Sequence, residues 1–434
     1  MKRRIAIITI ILAMLLPLAA CDSSGPTGGG IVPPAPASPS DTGTQTSPNT
    51  PADSPDPGAP AAPDEKFLIA SYLQLSGSLP LPGNEAKRGL DLAIKHINAN
   101  GGFNGAQVEI TYYDTTGSAE EAVKIAQRIV ADGVVDAVVG SVNSTEMVPT
   151  VPILNEAEIF HFGLGTSPAW MADQSMIWTF RASPNTGLAM PSNVEAVLSF
   201  GYETVAMLVA NDDNSVASAN LWQEAAEKKG LIITTRQVCD VNDTDFSGQI
   251  AQALATNPDC LFFALQGMNM PIGIRQTRML YDGMIFNNES PAIEYQELAG
   301  FENCINIIFA FPYVDYQVID DCNIPIMREY LERFQAEYGD MPVNNTAYRA
   351  WDTMMAMWEA TKIAGSNDKA AMREAMHKVN IPGLGGQMDY TDGSRESYSI
   401  FNAFMTKSGK FTLLADWRAA GGYEEFLAAT GRSK

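Results

Sequence analysis

Apolar residues follow two alternating rhythms along this chain. Phe67-Leu68-Ile69-Ala70 is a short continuous apolar run leading into the Gly- and Pro-rich loop Ser76 to Gly83. Beyond it Ala86, Leu90, Ala93, Ile94 and Ile97 recur at helical spacing, which predicts a helix with one buried stripe, stopped by Gly101-Gly102. Val108 to Tyr113 reads as a strand, and Ala119 to Ala131 as a helix with Ala122, Ile125, Ala126, Ile129 and Val130 inward. Ala137-Val138-Val139 reads as a buried strand, Thr145 to Asn155 as a helix and Ile159 to Phe162 as the next strand. The alternation restarts at Val205 to Val209, with strands at Ile232 to Val238 and Leu261 to Leu265. Helices are expected between and after them, at Val216 to Lys229, Phe246 to Ala255 and Pro271 to Tyr281. Two sets of strand-helix units predict an α/β fold of two doubly wound parallel-sheet lobes. In such sheets ligands sit beyond the carboxyl ends of the strands, here in the cleft between lobes.

The first residues obey neither rhythm. Lys2, Arg3 and Arg4 precede an apolar segment from Ile5 to Leu16, and Leu18-Ala19-Ala20-Cys21 closes it. That order resembles a lipoprotein export signal, and the apolar core is too short to span a bilayer. Residues 1–20 are therefore expected to be removed, leaving Cys21 as a lipidated first residue held at a membrane surface by its acyl chains. An ordinary signal with an accidental cysteine is the alternative. From Asp22 to Asp64 the chain is almost wholly Pro, Ser, Thr, Gly, Ala and Asp, a composition that cannot build a core. Residues 21–64 are expected to act as a disordered tether reaching on the order of 40 to 130 Å.

Charge and chemistry narrow the function further. The formal net charge is −22, and more negative still once Lys2, Arg3 and Arg4 are cleaved away, which disfavours nucleic acid as a partner. Cys239, Cys260, Cys304 and Cys322 contain no CxxC pair and have no histidine cluster beside them, so no metal site is expected. An oxidising compartment permits disulfides, and Cys304 and Cys322, flanking one strand and loop, are the expected pair, with burial as free thiols the alternative. The chain has no Gly-x-Ser-x-Gly elbow and no phosphate loop of its own. His96, His161 and His377 lack metal-ligand spacing and read as structural. Neither an enzyme nor a cofactor is expected.

The ordered motifs then carry a resemblance. Leu75-Ser76-Gly77, Gly83, Gly89, the run His96 to Gly105 and Tyr113-Asp114 open it. Asp132 to Asp136, Val139-Gly140, Ser144, Gly165-Thr166-Ser167-Pro168, Phe180-Arg181, Thr244 to Ser247 and Gly383-Leu384-Gly385-Gly386 continue it in order. Phe67 to Phe411 thereby resembles the type I periplasmic binding proteins of the branched-chain amino-acid transport class. The resemblance implies two lobes joined by a three-crossover hinge that closes on a small-molecule solute, delivered by a monomer to ABC permease subunits. Presentation of the solute to a membrane receptor is the alternative. Lobe 1 is placed at 65–183 plus 291–397, where helices Ile326 to Tyr338 and Ala347 to Ala364 would pack, and lobe 2 at 184–290 plus 398–434.

Site residues follow from position and chemistry together. Ser144 lies between a buried strand and a helix, where its hydroxyl can cap the helix and unpaired backbone N–H groups make an anion site. Thr166 lies in the loop after the next strand, with Leu164 and Gly165 offering backbone groups. The resemblance implies that Ser144, Thr166 and Leu164 meet the ligand's carboxylate and amino group. Elsewhere the chain departs from that class. Pro82 replaces an aromatic residue, Ser215 replaces a ring that would cover the ligand, and Asn269 stands where an acidic partner for an ammonium is counted, a loss that Asp212, Asp213 or Glu289 can make good. Leu79, Leu81, Gln266, Met268, Glu289, Tyr313 and Tyr316 complete the candidate wall, the Met268 to Met270 stretch offering adaptable apolar surface. The expected solute is a small polar or carboxylate-bearing molecule.

Overall fold

The first apolar run forms β1 (Lys66–Leu73), and the striped segment behind it forms α1 (Leu81–Ala99), with Ala86, Leu90, Ala93 and Ile97 fully buried. This is a computed structural model that describes residues 66–77, 80–398, 402–407 and 410–431; the export segment, Cys21, the tether and Leu79 lie outside the described residues. The chain continues through β2 (Gln107–Asp114), α2 (Ala119–Asp132), β3 (Ala137–Gly140), α3 (Ser144–Glu156), β4 (Phe160–Gly163) and β5 (Thr179–Arg181). These strands make one parallel sheet in the order β2-β1-β3-β4-β5. The order reverses at β1, so β1 and β3 part at their carboxyl ends and leave room for a ligand.

The chain then passes into a second lobe: α4 (Thr186–Leu198), β6 (Thr204–Ala210), α5 (Asp213–Lys228), β7 (Ile232–Cys239), α6 (Ser247–Ala255), β8 (Cys260–Ala264), α7 (Asn269–Arg278), β9 (Ile285–Asn287), α8 (Ile293–Ala299) and β10 (Ile307–Phe311). It returns to the first lobe with α9 (Pro325–Tyr338), α10 (Thr346–Ala364), α11 (Lys369–Met376) and the small antiparallel pair β11 (Asn380–Gly383) and β12 (Gly386–Asp389). It ends in the second lobe with β13 (Asn402–Lys407), β14 (Lys410–Leu413), α12 (Leu414–Ala419) and α13 (Gly422–Thr430). The second sheet runs β14-β13-β10-β9-β8-β6-β7.

Three expectations are corrected here. Residues 291–311 do not belong to lobe 1: β10 pairs in parallel with β9, so the return crossing falls after Phe311 and not at Pro291. The second sheet is mixed, because β13 runs antiparallel to β10 and β14 antiparallel to β13. Cys304 and Cys322 are free thiols, each buried on opposite sides of β10 in chain order. Cys304 belongs to the buried cluster that includes Phe263, Tyr281 and Ile307, whereas Cys322 belongs to the one that includes Met327 and Tyr330, so the two sulfurs lie in separate cores.

The crossings are tied to one another. Arg181 bridges in parallel to Glu396, its N–H donating to the Arg395 carbonyl at 2.8 Å, and Ser397 donates to the Ala182 carbonyl at 3.2 Å. Tyr313, just after β10, and Tyr398, just before the last crossing, both donate to the buried Asp352 carboxylate of α10, at 2.8 and 2.5 Å.

Candidate functional site

The sheet topology opens a cavity of about 650 Å³, lined from both lobes. That size suits a small organic ligand. The first-lobe wall is the β3–α3 loop and the loop after β4. Asn143, not Ser144, caps α3: its side chain accepts the Thr145 N–H at 3.1 Å. The Ser144 hydroxyl is thus released from capping and instead accepts the Ser167 N–H at 3.2 Å, which joins the two loops. A Cβ at Gly165 would sit 2.7 Å from the Ser144 hydroxyl, so a larger residue there would push that hydroxyl aside.

Behind the wall a buried network sets these positions. Glu146, fully buried in the first turn of α3, accepts from Thr115 at 2.9 Å and from Ser141 at 2.6 Å, and the Ser141 hydroxyl accepts the Asn143 N–H. Arg181 is fully buried against the Trp170 ring, and its Nη atoms donate to the carbonyls of Thr166 and Ser167 at 3.0 and 2.9 Å. Burial pulls its pKa down to about 10, yet it stays charged. Thr166 itself lines the cavity, its carbonyl held from behind.

Glu289 answers from the second lobe, immediately after β9. One carboxylate oxygen accepts from Thr166 Oγ1 at 3.3 Å, Asn214 Nδ2 at 3.4 Å and Gln266 Nε2 at 3.1 Å. Burial raises its pKa, and the Arg349 guanidinium pulls it back. Arg349, on the first lobe's α10, also lines the cavity and donates from Nη1 to the Leu164 carbonyl at 3.3 Å.

Of the residues singled out from sequence, Ser144, Thr166, Gln266, Met268, Asn269 and Glu289 come together on the cavity wall. Leu164, Gly165, Ser215 and Tyr313 do not. Leu164 is fully buried, its carbonyl taken by Arg349 and its N–H by the Ser141 carbonyl, while the Gly165 carbonyl accepts from Ser183. Asp212 caps α5 by accepting the Ser215 N–H, and this helix phase turns Ser215 into the lobe and presents Asn214 to the cavity. Tyr313 is the buried hinge residue bound to Asp352, and Tyr316 is likewise buried away from the cleft. Pro82 lines the cavity where Leu81 does not. The Asn269 amide donates to the Asp240 carbonyl at 3.3 Å, bracing the loop after β7. Glu289, Asp212 and Asp213 place carboxylates on the same cavity wall as Asn269. Arg349, Asn344, Asn345, Gln74 and Asn214 also line the cavity and were not singled out. For Arg349 a signal existed: it is the one charge in Ala347-Tyr348-Arg349-Ala350-Trp351.

A model of the periplasmic binding protein family matches residues 68–399. The chain belongs to that family. As a periplasmic binding protein it is a binding protein that works outside the cytoplasm, not an enzyme. A Leu/Ile/Val-binding protein homologue from Brucella abortus is 25% identical over 361 residues, spanning 80% of this chain and 92% of that protein. A second such homologue, from Brucella suis, is 22% identical over 347 residues, spanning 74% and 82%. Among solved structures, a leucine-binding protein from Thermotoga maritima superposes with a TM-score of 0.69 at 23% identity, covering 80% of this chain and 97% of that one. A branched-chain amino acid transporter substrate-binding protein from Streptococcus pneumoniae, in complex with isoleucine, superposes with a TM-score of 0.70 at 20% identity, covering 80% and 98%.

Proposed function

We propose that this protein is a lipid-anchored receptor that captures an α-amino acid between its lobes and hands it to an ABC permease. One observation carries the reading: a carboxylate, Glu289, faces the hydroxyls of Thr166 and Ser144 and the amino-terminal end of α3 across one cavity. A zwitterion needs those two halves. The ammonium pairs with Glu289, while the α-carboxylate accepts from the two hydroxyls beside the amino-terminal end of α3, whose dipole favours an anion. The Leu/Ile/Val-binding relatives agree with an amino-acid ligand. Isothermal titration with amino acids, and with the matching carboxylic acids that lack the amine, tests the reading. Glu289→Gln is expected to weaken amino-acid binding by one to two decades, since a hydrogen bond to a charged group contributes about 1.5–3 kcal/mol. Equal binding of the amine-free acids, or an unaffected Glu289→Gln variant, refutes it.

The anchor rests on the sequence Leu18-Ala19-Ala20-Cys21 after its charged and apolar segments. Cys21→Ala is expected to move the protein from the membrane fraction to the soluble one on cell fractionation. A variant that stays with the membrane removes the lipid from the picture.

A further inference from the structure

The two lobes give the cleft opposite electrical characters. The second lobe contributes the carboxylates Asp212, Asp213 and Glu289; the first contributes Arg349, the one cation among the described residues lining the cavity, and the amino-terminal ends of α3 and α10. Asp212 and Asp213 sit at the start of α5, where the helix dipole offsets their charge and Asp212 is occupied as the cap. Glu289 therefore remains to balance Arg349 across the cavity, and each is felt by the other.

The end of the cavity near Arg349 is short of hydrogen-bond partners. Asn345 precedes α10 but its side chain caps nothing, and its Oδ1 is buried without a partner. Arg349 is 6% exposed and makes a single hydrogen bond through Nη1; its Nε has none. Asp315, fully buried and within electrostatic reach of Arg349, would be the natural counterion, yet both its oxygens lack a partner. Burial pushes Asp315 up to about pKa 8, so near neutral pH it is largely uncharged. Buried polar groups are satisfied almost everywhere in folded proteins, so this concentration of orphaned atoms beside a cavity marks a place for a polar ligand group. An aliphatic side chain there would leave Arg349 buried and poorly paired. The imbalance grows once a ligand ammonium takes Glu289.

Resting on the amino-acid reading of the cleft, we propose that the solute carries a second carboxylate, received by Arg349 beside the amino-terminal end of α10, so that the preferred ligand is a dicarboxylic amino acid. The planar guanidinium fork suits a carboxylate better than any other common side-chain group. Two anionic ends then lie on the first lobe and the cationic centre on the second, and each lobe binds a part that the other repels.

The test is isothermal titration of the purified protein with L-glutamate, L-aspartate, L-leucine, the γ-methyl ester of L-glutamate, and glutarate. At least one dicarboxylic amino acid is expected to bind tenfold or more tighter than leucine, and glutamate at least tenfold tighter than its ester. Arg349→Gln is expected to weaken dicarboxylate binding by about 10- to 100-fold and to remove most of the preference for dicarboxylates over leucine. If that variant does not fold, the ester comparison in the unaltered protein decides. Leucine binding tighter than both dicarboxylates, or an ester equal to the acid, overturns the proposal and leaves the amino-acid reading standing. Binding of glutarate with silence from every α-amino acid overturns both.

Discussion

Single positions show what one residue's chemistry can and cannot announce. Ser144 and Thr166 could be placed near the cavity because each follows a buried apolar strand that the sequence marks, whereas the strand before Glu289 has only three residues. Ser215 misled because its role depends on a helix phase that differs by one residue from the expected one: Asp212 sets α5 so that Asn214 faces the cavity and Ser215 is buried. Capping misled in the same way, since Ser144 and Asn143 are neighbours with the same propensity. The distinction is measurable. Asn143→Ala is expected to cost about 1 kcal/mol of stability through the lost cap. Ser144→Ala keeps the cap, loses the Ser167 contact, and is expected to weaken amino-acid binding by about tenfold or more. Paired denaturation and calorimetry on the two variants check this, and a reversed pattern would return the cap to Ser144.

At the scale of elements, the strand-helix rhythm from β1 to β4 and from β6 to α7 could be read directly, because each strand is an apolar run and each helix carries one buried stripe. Strands of three residues, β5 and β9, leave too short a pattern to recognise. The run Ile307 to Phe311 is plainly a buried strand, yet nothing in its own residues says which sheet it joins. Pairing with β9 and β13 is a property of the partners. That is why the return crossing was placed at Pro291 and why the antiparallel edge of the second sheet was not foreseen. The cysteine pairing failed for the same reason, since closeness along the chain passed for closeness across a strand. Arg181 is the opposite case: its charge is conspicuous in sequence, but only the fold shows it gripping the carbonyls of Thr166 and Ser167 to aim the ligand loop.

For the molecule as a whole, the decisive feature is how lobe movement is anchored. Asp352 is fully buried and holds two chain crossings at once, through the hydroxyls of Tyr313 and Tyr398, while also accepting the Leu384 N–H at 3.0 Å. Burial raises its pKa from 3.8 to about 6, with the tyrosine and backbone donors pulling it back. Because the folded value lies above the unfolded one, the folded state binds the proton more tightly, and this group's contribution to stability is lost as pH rises from about 4 through 6. Removing both hydroxyls in Tyr313→Phe/Tyr398→Phe takes away donors that favour the charged form, so the folded pKa climbs further above 6. At pH 5 the carboxyl is mostly protonated in the folded state of either protein, and the added cost of ionisation is small. At pH 8 it is ionised in the wild type, and the variant must bear a buried carboxylate with fewer donors. The stability gap between variant and wild type is therefore expected to widen by about 1–3 kcal/mol between pH 5 and pH 8, measured by urea denaturation at the two values. A gap that stays constant across that range would mean that Asp352 remains neutral and that the two tyrosines merely fill space at the hinge.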